Sequence, residues 1–283
     1  MDDESFSYLK NLKLNSVYVI SYLDLEESIP ELKNAKLNRS LIEYFYTCSP
    51  AICYYALMNF IEIDLITYLD SDLYFFSSPE PLFTELENKS IGIIAHRFNW
   101  LTKHNLKYGI FNVGWVSFRK DDIGLNCLTD WMFDCINWCY QKLENGKYAD
   151  QKYLDIWPEK YSKLCIIKNI CANVAIWNIG NYKLSNVGND IFVNGEKLIF
   201  YHFASFKQVS EFEFTSDLSR VLVRTTNLIR DLIYIPYAKS ILKFQIHPIK
   251  TKQDIKDTFL LHNIKNISRY IRQYIFPDKI IIN

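Results

Sequence analysis

The sequence predicts an α/β protein with a mixed, mostly parallel sheet and helices on both faces. Short apolar runs of strand character alternate with longer stretches of helical character between residues 17 and 201. A composition of 49% hydrophobic and 16% aromatic residues is sufficient for a large buried core. Eight glycines and eight prolines in 283 residues exclude a collagen-like or low-complexity chain.

Seven short segments have the apolar and β-branched composition of strands. They are residues 17–21, 64–68, 90–95, 111–118, 164–168, 190–193 and 197–201. Helical stretches are predicted at about 30–60 with an interruption at Pro50, then at 79–86, 121–143 and 150–156. Because helices separate many of the strands, we expect crossover connections and therefore largely parallel pairing.

Two domains are predicted, residues 1–209 as the α/β domain and residues 210–283 as a helical, basic extension. From Tyr237 to Asn283 there are nine Lys and Arg against three Asp, a net charge of +6. Isoleucines recur there at helical spacing between basic residues, at positions 264, 267, 271 and 275. A basic amphipathic helix packs onto its own protein or lies on an anionic membrane surface, and the pattern allows both.

Charge and cysteine content exclude several classes of protein. Thirty-two Lys and Arg balance 32 Asp and Glu, whereas a duplex nucleic-acid binder carries a basic excess. Seven scattered cysteines without a C-x-x-C pair do not form a zinc finger and are expected as free thiols in a reducing cytosol. The N-terminus lacks the features of a signal peptide, and no apolar run reaches roughly 18 residues. We expect a cytoplasmic protein, with contact to the inner face of the cell membrane if the basic helix binds lipid.

Familiar nucleotide-binding signatures are absent from the sequence. It contains no G-x-G-x-x-G, no G-x-x-x-x-G-K-[ST] and no G-x-S-x-G. A phosphorylated ligand would therefore be neutralised in another way, for example by a divalent cation held by carboxylates.

Asp70 and Asp72 provide such carboxylates at the end of an apolar strand. Neighbouring acids of an Asp-x-Asp converge where a strand gives way to a turn, and hard oxygen ligands favour Mg²⁺ or Mn²⁺. The alternative is a solvated turn. Apolar residues on both sides of the pair favour a site, because buried carboxylates need a cation or a basic neighbour.

Four blocks of the chain resemble, in order, the motifs of GT-A-fold glycosyltransferases, in particular family 8 and related bacterial enzymes. They are Ile66–Phe76 with residues 78–83, then Phe111–Phe118, Ala149–Leu154 and Phe200–Phe203. The resemblance implies a Rossmann-like nucleotide-diphospho-sugar transferase fold with its catalytic domain in residues 1–209. It also implies that the first nucleotide-binding strand of that fold is missing, since the chain begins with a segment that follows the second strand in the family.

The resemblance implies a metal site of Asp70, Asp72 and His202 that holds Mn²⁺ or Mg²⁺ on the diphosphate of a nucleotide-sugar. The alternative for His202 is a core histidine between Tyr201 and Phe203. Nucleotide-sugar contacts are expected from Arg39, Asp70, Ser71, Arg97 and Asn112, with a solvated helix-start arginine as the alternative for Arg39.

The remaining family positions lie at the sugar and the acceptor. Asp150 and Gln151 are expected nearest the anomeric carbon, with Asp150 as general base in an inverting enzyme or either residue stabilising charge in a retaining one. An N-cap is the alternative for Asp150. Gly114, Trp177 and Asn178 are expected at the acceptor, with a strand bulge as the alternative for Asn112 and Gly114 and a core position for Trp177.

The predicted function is transfer of a sugar from a nucleotide-diphospho-sugar to an acceptor hydroxyl, in bacterial surface polysaccharide or lipid-linked glycan synthesis. Two alternatives remain. One is another metal-dependent nucleotide-processing enzyme, such as a nucleotidyltransferase or phosphohydrolase. The other is a non-catalytic binding protein with a degenerate transferase fold.

Overall fold

The computed structural model describes residues 3–245 and 272–282. Its helices are α1 (Asp3–Asn11), α2 (Tyr22–Ser28), α3 (Glu31–Leu37), α4 (Leu41–Asn59), α5 (Glu80–Leu86), α6 (Asp122–Asn137), α7 (Trp157–Lys160) and α8 (Ile235–Phe244). Its strands are β1 (Leu65–Leu69), β2 (Leu73–Phe75), β3 (Ile91–Ala95), β4 (Phe111–Arg119), β5 (Leu164–Ile167), β6 (Val174–Ala175), β7 (Leu184–Val187), β8 (Asp190–Val193), β9 (Glu196–Lys197), β10 (Phe200–His202), β11 (Lys207–Ser210), β12 (Glu213–Thr215) and β13 (Lys279–Ile281).

The chain forms two compact units whose segments alternate along the sequence. The first unit comprises Met1–Leu69, Glu85–Ala95 and Lys107–Ile167. The second comprises Asp70–Thr84, His96–Leu106 and Lys168–Asn283. The domain boundary after residue 209, which rests on composition, stays a prediction.

The sheet of the first unit has the strand order β1-β4-β3-β5. Strand β4 is antiparallel to both β1 and β3, and β3 is parallel to β5. Among the strands that the structure describes, β3–β5 and β10–β6 are parallel pairs and every other pair is antiparallel. The mixed α/β class is as predicted, but a mostly parallel sheet is wrong. Between β3 and β4 the chain forms only the 3₁₀ helix Lys103–Tyr108, whereas a parallel neighbour usually requires a crossover helix.

Both long helices of the first unit contribute to the same buried cluster on one face of this sheet. Helices α4 and α6 pack against each other, and both contribute to one buried cluster with β3 and β4. At its centre Trp131 of α6 contacts Phe118 of β4 and Trp157, with ring centroids 5.9 and 5.6 Å away. Burial of such large rings contributes several kcal/mol to this core, at about 25 cal/mol per Å².

Two local expectations are corrected by the structure. The predicted strand at residues 17–21 is absent, because Ser21 begins helix α2 with a capping box in which its Oγ accepts from the Asp24 backbone N–H at 3.0 Å. Helix α4 begins with the same device at Ser40 and continues through Pro50 without interruption. Its packing against the sheet and α6 outweighs the lost backbone donor.

In the second unit, strand β10 pairs with β2 on one side and β6 on the other. Residues after 210 pack against this strand through aromatic contacts. Tyr234 ends a π-helix (Ile229–Tyr234), and its hydroxyl hydrogen-bonds that of Tyr201 at 2.8 Å. Tyr237 of α8 stacks on Phe203 with centroids 3.9 Å apart. This part of the extension is therefore integrated with the strand that carries His202.

The extension is not purely helical as predicted. Strands β11, β12 and β13 form an antiparallel sheet in which Phe214 is paired with Ile280, and both side chains are wholly buried. Alternation of buried and exposed side chains over these short segments suits a strand that covers a core with one face. The basic helix predicted around Ile264, Ile267 and Ile271 lies outside the described residues. In the described ranges, no helix combines the length and apolarity needed to cross a membrane.

We predict that Tyr234→Phe lowers the free energy of unfolding by about 1–3 kcal/mol, because it leaves the buried Tyr201 hydroxyl without its partner. The double variant Tyr201→Phe with Tyr234→Phe should recover most of that loss, since neither ring then carries an unpaired hydroxyl. Denaturant unfolding followed by tryptophan fluorescence measures both.

Tyr18→Phe serves as the matched control, because Tyr18 is 70% exposed and its hydroxyl deletion should leave stability unchanged. Equal stability of the wild type and Tyr234→Phe would refute a stabilising role for the tyrosine pair.

Candidate metal centre

Asp70, Asp72 and His202 bring their polar atoms together in the second unit. The Nε2 of His202 lies 2.9 Å from Asp72 Oδ1 and 3.6 Å from Asp70 Oδ2. One ligand atom from each residue lies within 4.8 Å of the other two. This is the convergence that the Asp-x-Asp turn and the late histidine predict.

Backbone pairing holds the two sides of this group in register. The antiparallel pair β2–β10 places Leu73 opposite His202, so Asp72 comes directly beside the histidine. The Phe203 backbone N–H donates to the Asp72 carbonyl at 2.8 Å and extends the ladder by one residue. Asp70, Ser71 and Asp72 connect β1 to β2 with a turn at Ser71 and Asp72, and this connection presents both acids to the same histidine.

The histidine is buried and the two acids are accessible. His202 is 4% exposed, whereas the side chains of Asp70 and Asp72 are 32% and 39% exposed to solvent. Ser71 between them is exposed. A ligand from solvent can therefore reach the carboxylates while the imidazole stays fixed.

Neighbouring side chains define the orientation of the imidazole ring. On its far side, His202 Nδ1 lies 3.3 Å from Asn173 Oδ1. The indole of Trp177 meets the ring edge to face, with centroids 5.0 Å apart. Asn173 Oδ1 faces one ring nitrogen and Asp72 Oδ1 faces the other, so a neutral imidazole with its single proton can donate to one of these oxygens and not to both.

The donor set fits a divalent cation. A ring nitrogen 2.9 Å from a carboxylate oxygen is favourable only when a proton or a cation lies between the two. Two carboxylates and one imidazole suit Mn²⁺, which accepts nitrogen more readily than Mg²⁺ does. Asp70, Asp72 and His202 could hold such an ion and leave positions for a substrate.

Tyr237 interacts electrostatically with Asp72 of the acidic pair. Burial and the negative charge of Asp72 raise the pKa of the Tyr237 phenol to about 12. The phenol is therefore neutral at physiological pH and offers a hydrogen-bond donor near the centre.

Trp177, Asn178 and Arg97 also belong to the second unit. The Trp177 carbonyl accepts from the Thr102 hydroxyl at 2.6 Å, and its ring lies between those of His96 and His202. Asn178 is wholly buried, and its amide accepts from the Ala175 N–H and donates to two backbone carbonyls. Asn178 therefore holds three backbone groups in place, and its contact with the acceptor sugar stays a prediction.

Arg97 has a left-handed backbone with φ 53° and directs its guanidinium into the fold. It donates to the Asn169 carbonyl at 2.8 Å and to the Ala172 carbonyl. These bonds anchor the segment before β6.

Arg39 lies in the first unit, immediately before α4. Its guanidinium donates to Thr47 Oγ1 at 3.0 Å and to the Ile136 carbonyl at 2.6 Å, and it lies over the Tyr140 ring. It is therefore neither a free nor a solvated arginine. It links α4 to the end of α6, and a nucleotide contact stays a prediction.

Asn112 and Gly114 lie in β4 of the first unit, at an irregularity of the sheet. The register with β3 shifts between Ile93 and Ile94, which agrees with the bulge considered for these residues. The Gly114 N–H donates to Asn112 Oδ1 at 3.0 Å, and both residues are buried. Their contact with a sugar stays a prediction.

Asp150 and Gln151 lie next to each other in the first unit. Asp150 is 5% exposed, and its carbonyl accepts from Trp131 Nε1 at 2.9 Å. It is not an N-cap, because the 3₁₀ helix Lys152–Ile156 has Gln151 at that position without a side-chain bond. Gln151 Nε2 donates to the Tyr108 carbonyl at 3.0 Å. The catalytic role of Asp150 and Gln151 stays a prediction.

Asn173 and Tyr237 lie beside the centre although no motif or periodicity in the sequence indicates them. Asn173 lies before the two-residue strand β6, where neither periodicity nor a motif identifies it. Tyr237 lies in α8, which composition assigned to the extension. Both reach the centre through contacts that are distant in sequence.

Comparison with solved structures gives two partial likenesses. A glycosyltransferase involved in the glycosylation of the major capsid of PBCV-1 covers 56% of this chain and 70% of its own, with 13% identity and a TM-score of 0.39. Mouse xyloside xylosyltransferase 1 covers 72% of this chain and 82% of its own, with 16% identity and a TM-score of 0.41. Both TM-scores are low, so neither likeness assigns a fold or a function to this chain.

No known protein-family model matches the chain. It is, however, 31% identical over 218 residues to the uncharacterised protein YfnD of Bacillus subtilis (strain 168), covering 76% of this chain and 69% of YfnD. It is also 30% identical over 218 residues to the uncharacterised protein YfnF of the same strain, covering 74% of this chain and 71% of YfnF. Identity at this level over more than two thirds of both relatives shows that the chain belongs to the family of YfnD and YfnF.

Proposed function

We propose that this protein is a metal-dependent glycosyltransferase that moves a sugar from a nucleotide-diphospho-sugar to an acceptor hydroxyl. The convergence of Asp70, Asp72 and His202 carries the proposal. This group combines two accessible carboxylates with a buried imidazole whose Nε2 faces them. The resemblance of four ordered sequence blocks to GT-A enzymes supports a transferase over other enzymes that use an acidic pair.

Asp70, Asp72 and His202 would hold Mn²⁺, or Mg²⁺ with a lower preference for the imidazole. When bound, the ion supplies Lewis-acid stabilisation of the negative charge that develops on the departing nucleoside diphosphate. Burial of His202 keeps one ligand rigid, while exposure of the carboxylates admits the donor from solvent. The neutral Tyr237 phenol can donate a hydrogen bond near the same charge.

Asp150 and Gln151 are our candidates for the residues at the anomeric carbon. Asp150 is 5% exposed, and a carboxylate fixed in this way can act as a general base when the acceptor hydroxyl lies within hydrogen-bond reach. In an inverting reaction Asp150 would accept the proton of the acceptor hydroxyl. In a retaining reaction Asp150 or the Gln151 amide would stabilise an oxocarbenium-like state.

The remaining contacts are proposals of the same kind. We infer that the donor is contacted by Arg39, Ser71, Arg97 and Asn112. We infer that the acceptor side is lined by Gly114, Trp177 and Asn178. The acceptor that we propose is a bacterial surface polysaccharide or a lipid-linked glycan. Seven free thiols support a reducing, cytoplasmic location.

We predict that Asp72→Ala abolishes Mn²⁺-dependent thermal stabilisation by nucleotide-diphospho-sugars. Loss of a direct ligand should weaken Mn²⁺ by more than the roughly 10- to 100-fold that loss of a supporting hydrogen bond causes. A ligand that binds only the folded state raises its melting temperature, so a panel of donors can be screened by thermal shift.

The matched control is Asp190→Ala, which removes an exposed carboxylate paired with Lys197 at 2.8 Å. It should respond to Mn²⁺ and donor as the wild type does. A full response from Asp72→Ala would contradict the proposed centre. Release of phosphate or pyrophosphate without transfer of the sugar would favour the phosphohydrolase or nucleotidyltransferase alternative.

We also predict that Asp150→Asn lowers the turnover of the donor found in that screen by on the order of 10²- to 10⁴-fold, the usual contribution of a general base. The substitution preserves shape and removes the charge. Donor affinity measured by calorimetry with Mn²⁺ should remain close to that of the wild type.

Asp134→Asn is the control for this substitution, because it removes a carboxylate of the same unit that has no proposed role at the anomeric carbon. Its turnover should equal that of the wild type. Wild-type turnover in Asp150→Asn would exclude Asp150 from the chemistry.

A further inference from the structure

Residues 99–106 of the second unit form a ridge of tight turns that runs into the 3₁₀ helix beginning at Lys103. The Thr102 N–H donates to the Asn99 carbonyl at 3.1 Å, and the Asn105 N–H donates to the Thr102 carbonyl at 2.9 Å. Because residues three apart lie above one another in this conformation, each row of the ridge takes every third residue. Asn99 and Thr102 are 5% and 4% exposed, so their row faces the protein.

The next row of the ridge faces solvent and consists of Trp100, Lys103 and Leu106. Trp100 is 81% exposed, Lys103 is exposed, and Leu106 is 36% exposed. The other five tryptophans of the chain are buried or half-buried. An indole joins a large apolar ring to a polar N–H, which suits it to a boundary between water and an apolar phase. These three residues form the Trp100 row.

The interior of the second unit holds the Trp100 row in place. The Trp177 carbonyl accepts from the Asn99 N–H at 3.1 Å and from the Thr102 hydroxyl at 2.6 Å. The Thr102 N–H also donates to Asn99 Oδ1 at 3.0 Å. A backbone that is already fixed loses little conformational entropy on binding, so rigid aromatic anchors give affinity. The Trp100 row is therefore a preorganised surface feature.

The segment that contains the Trp100 row is basic. From Asn88 to Lys120 the sequence contains no Asp or Glu and six Lys and Arg, at positions 89, 97, 103, 107, 119 and 120. Lys103 lies in the row itself, between Trp100 and Leu106. One aromatic and one aliphatic side chain with a lysine between them match a lipid interface, where anionic headgroups cover acyl chains.

We propose that the Trp100 row docks the second unit on an anionic phospholipid surface. Trp100 and Leu106 enter the headgroup region, and Lys103 pairs with lipid phosphates. The contact uses other residues than the basic C-terminal extension, for which the sequence also allows lipid binding. Because the ridge is bonded to Trp177, whose ring packs against His202, lipid contact would hold the candidate metal centre near the membrane.

Co-sedimentation of the full chain with vesicles, without metal or nucleotide-sugar, tests the proposal. Vesicles of phosphatidylcholine are compared with vesicles of equimolar phosphatidylcholine and phosphatidylglycerol. We expect the wild type to bind the anionic vesicles more tightly than the neutral ones. Trp100→Ala should weaken that binding on the order of 10-fold, through loss of apolar burial. Lys103→Gln should weaken it about 5-fold, the contribution of one charge near an anionic surface.

The double variant Trp100→Ala with Lys103→Gln has a matched control in Ile61→Ala with Lys89→Gln. Ile61 is 88% exposed and Lys89 is exposed, and both belong to the first unit. The control therefore also removes one exposed apolar side chain and one positive charge, and it should bind vesicles as the wild type does. The basic extension is present in every variant, so any binding that it contributes is the same throughout.

Tryptophan fluorescence locates the contact. Brominated phosphatidylcholine in the anionic vesicles quenches an indole that enters the bilayer. We expect quenching in the wild type and its loss in Trp100→Phe, because the other tryptophans are buried or half-buried.

Four results would overturn the proposal. They are a wild type that does not prefer anionic vesicles, a double variant that binds them as the wild type does, a control that loses as much binding as the double variant, and quenching that persists in Trp100→Phe. None of these measurements involves sugar transfer or Mn²⁺, so failure of the proposed function would leave their result unchanged.

Discussion

Pairing of β2 with β10 is the constraint on which the candidate centre depends. It places Leu73 opposite His202 and allows the Phe203 N–H to bond the Asp72 carbonyl, so the acids and the histidine meet without a long side-chain reach. Successive side chains of a strand point to opposite faces, so a slip of one residue would turn His202 away from Asp72. Its neighbours Tyr201, in β10, and Phe203, directly after β10, are instead packed against Tyr234 and Tyr237. One face of this short strand thus carries the chemistry, and the other carries the core that holds its register.

The sequence identified the residues of the centre but only part of the sheet around them. An acidic pair between apolar runs is visible locally because burial of unpaired carboxylates is costly. The direction of β4 is not visible locally, since periodicity marks a strand without naming its partner. Strand β4 is antiparallel to both β1 and β3. In the sequence, only the lack of a crossover helix between β3 and β4 points to this pairing.

Several polar residues have roles that a motif alone could not define. A motif draws attention to Arg39 and Asn178, but each donates to a backbone carbonyl far from it along the chain, that of Ile136 and that of His96. The basic composition after residue 209 suggests a separate extension. The structure shows instead that Tyr234 and Tyr237 of this segment complete the aromatic packing behind β10. Asn173 was missed because its importance arises from the register of β6 with β10. Long-range pairing determines all of these roles.

The central claim is that His202 is a direct ligand of a divalent cation together with Asp70 and Asp72. Pulsed EPR of Mn²⁺ bound to protein labelled with nitrogen-15 in histidine tests it most directly, because a nitrogen in the coordination sphere couples magnetically to the ion. The account predicts a single strong nitrogen-15 coupling in the wild type that is lost in His202→Gln. Bound Mn²⁺ without that coupling, or with a coupling that persists in His202→Gln, would contradict it.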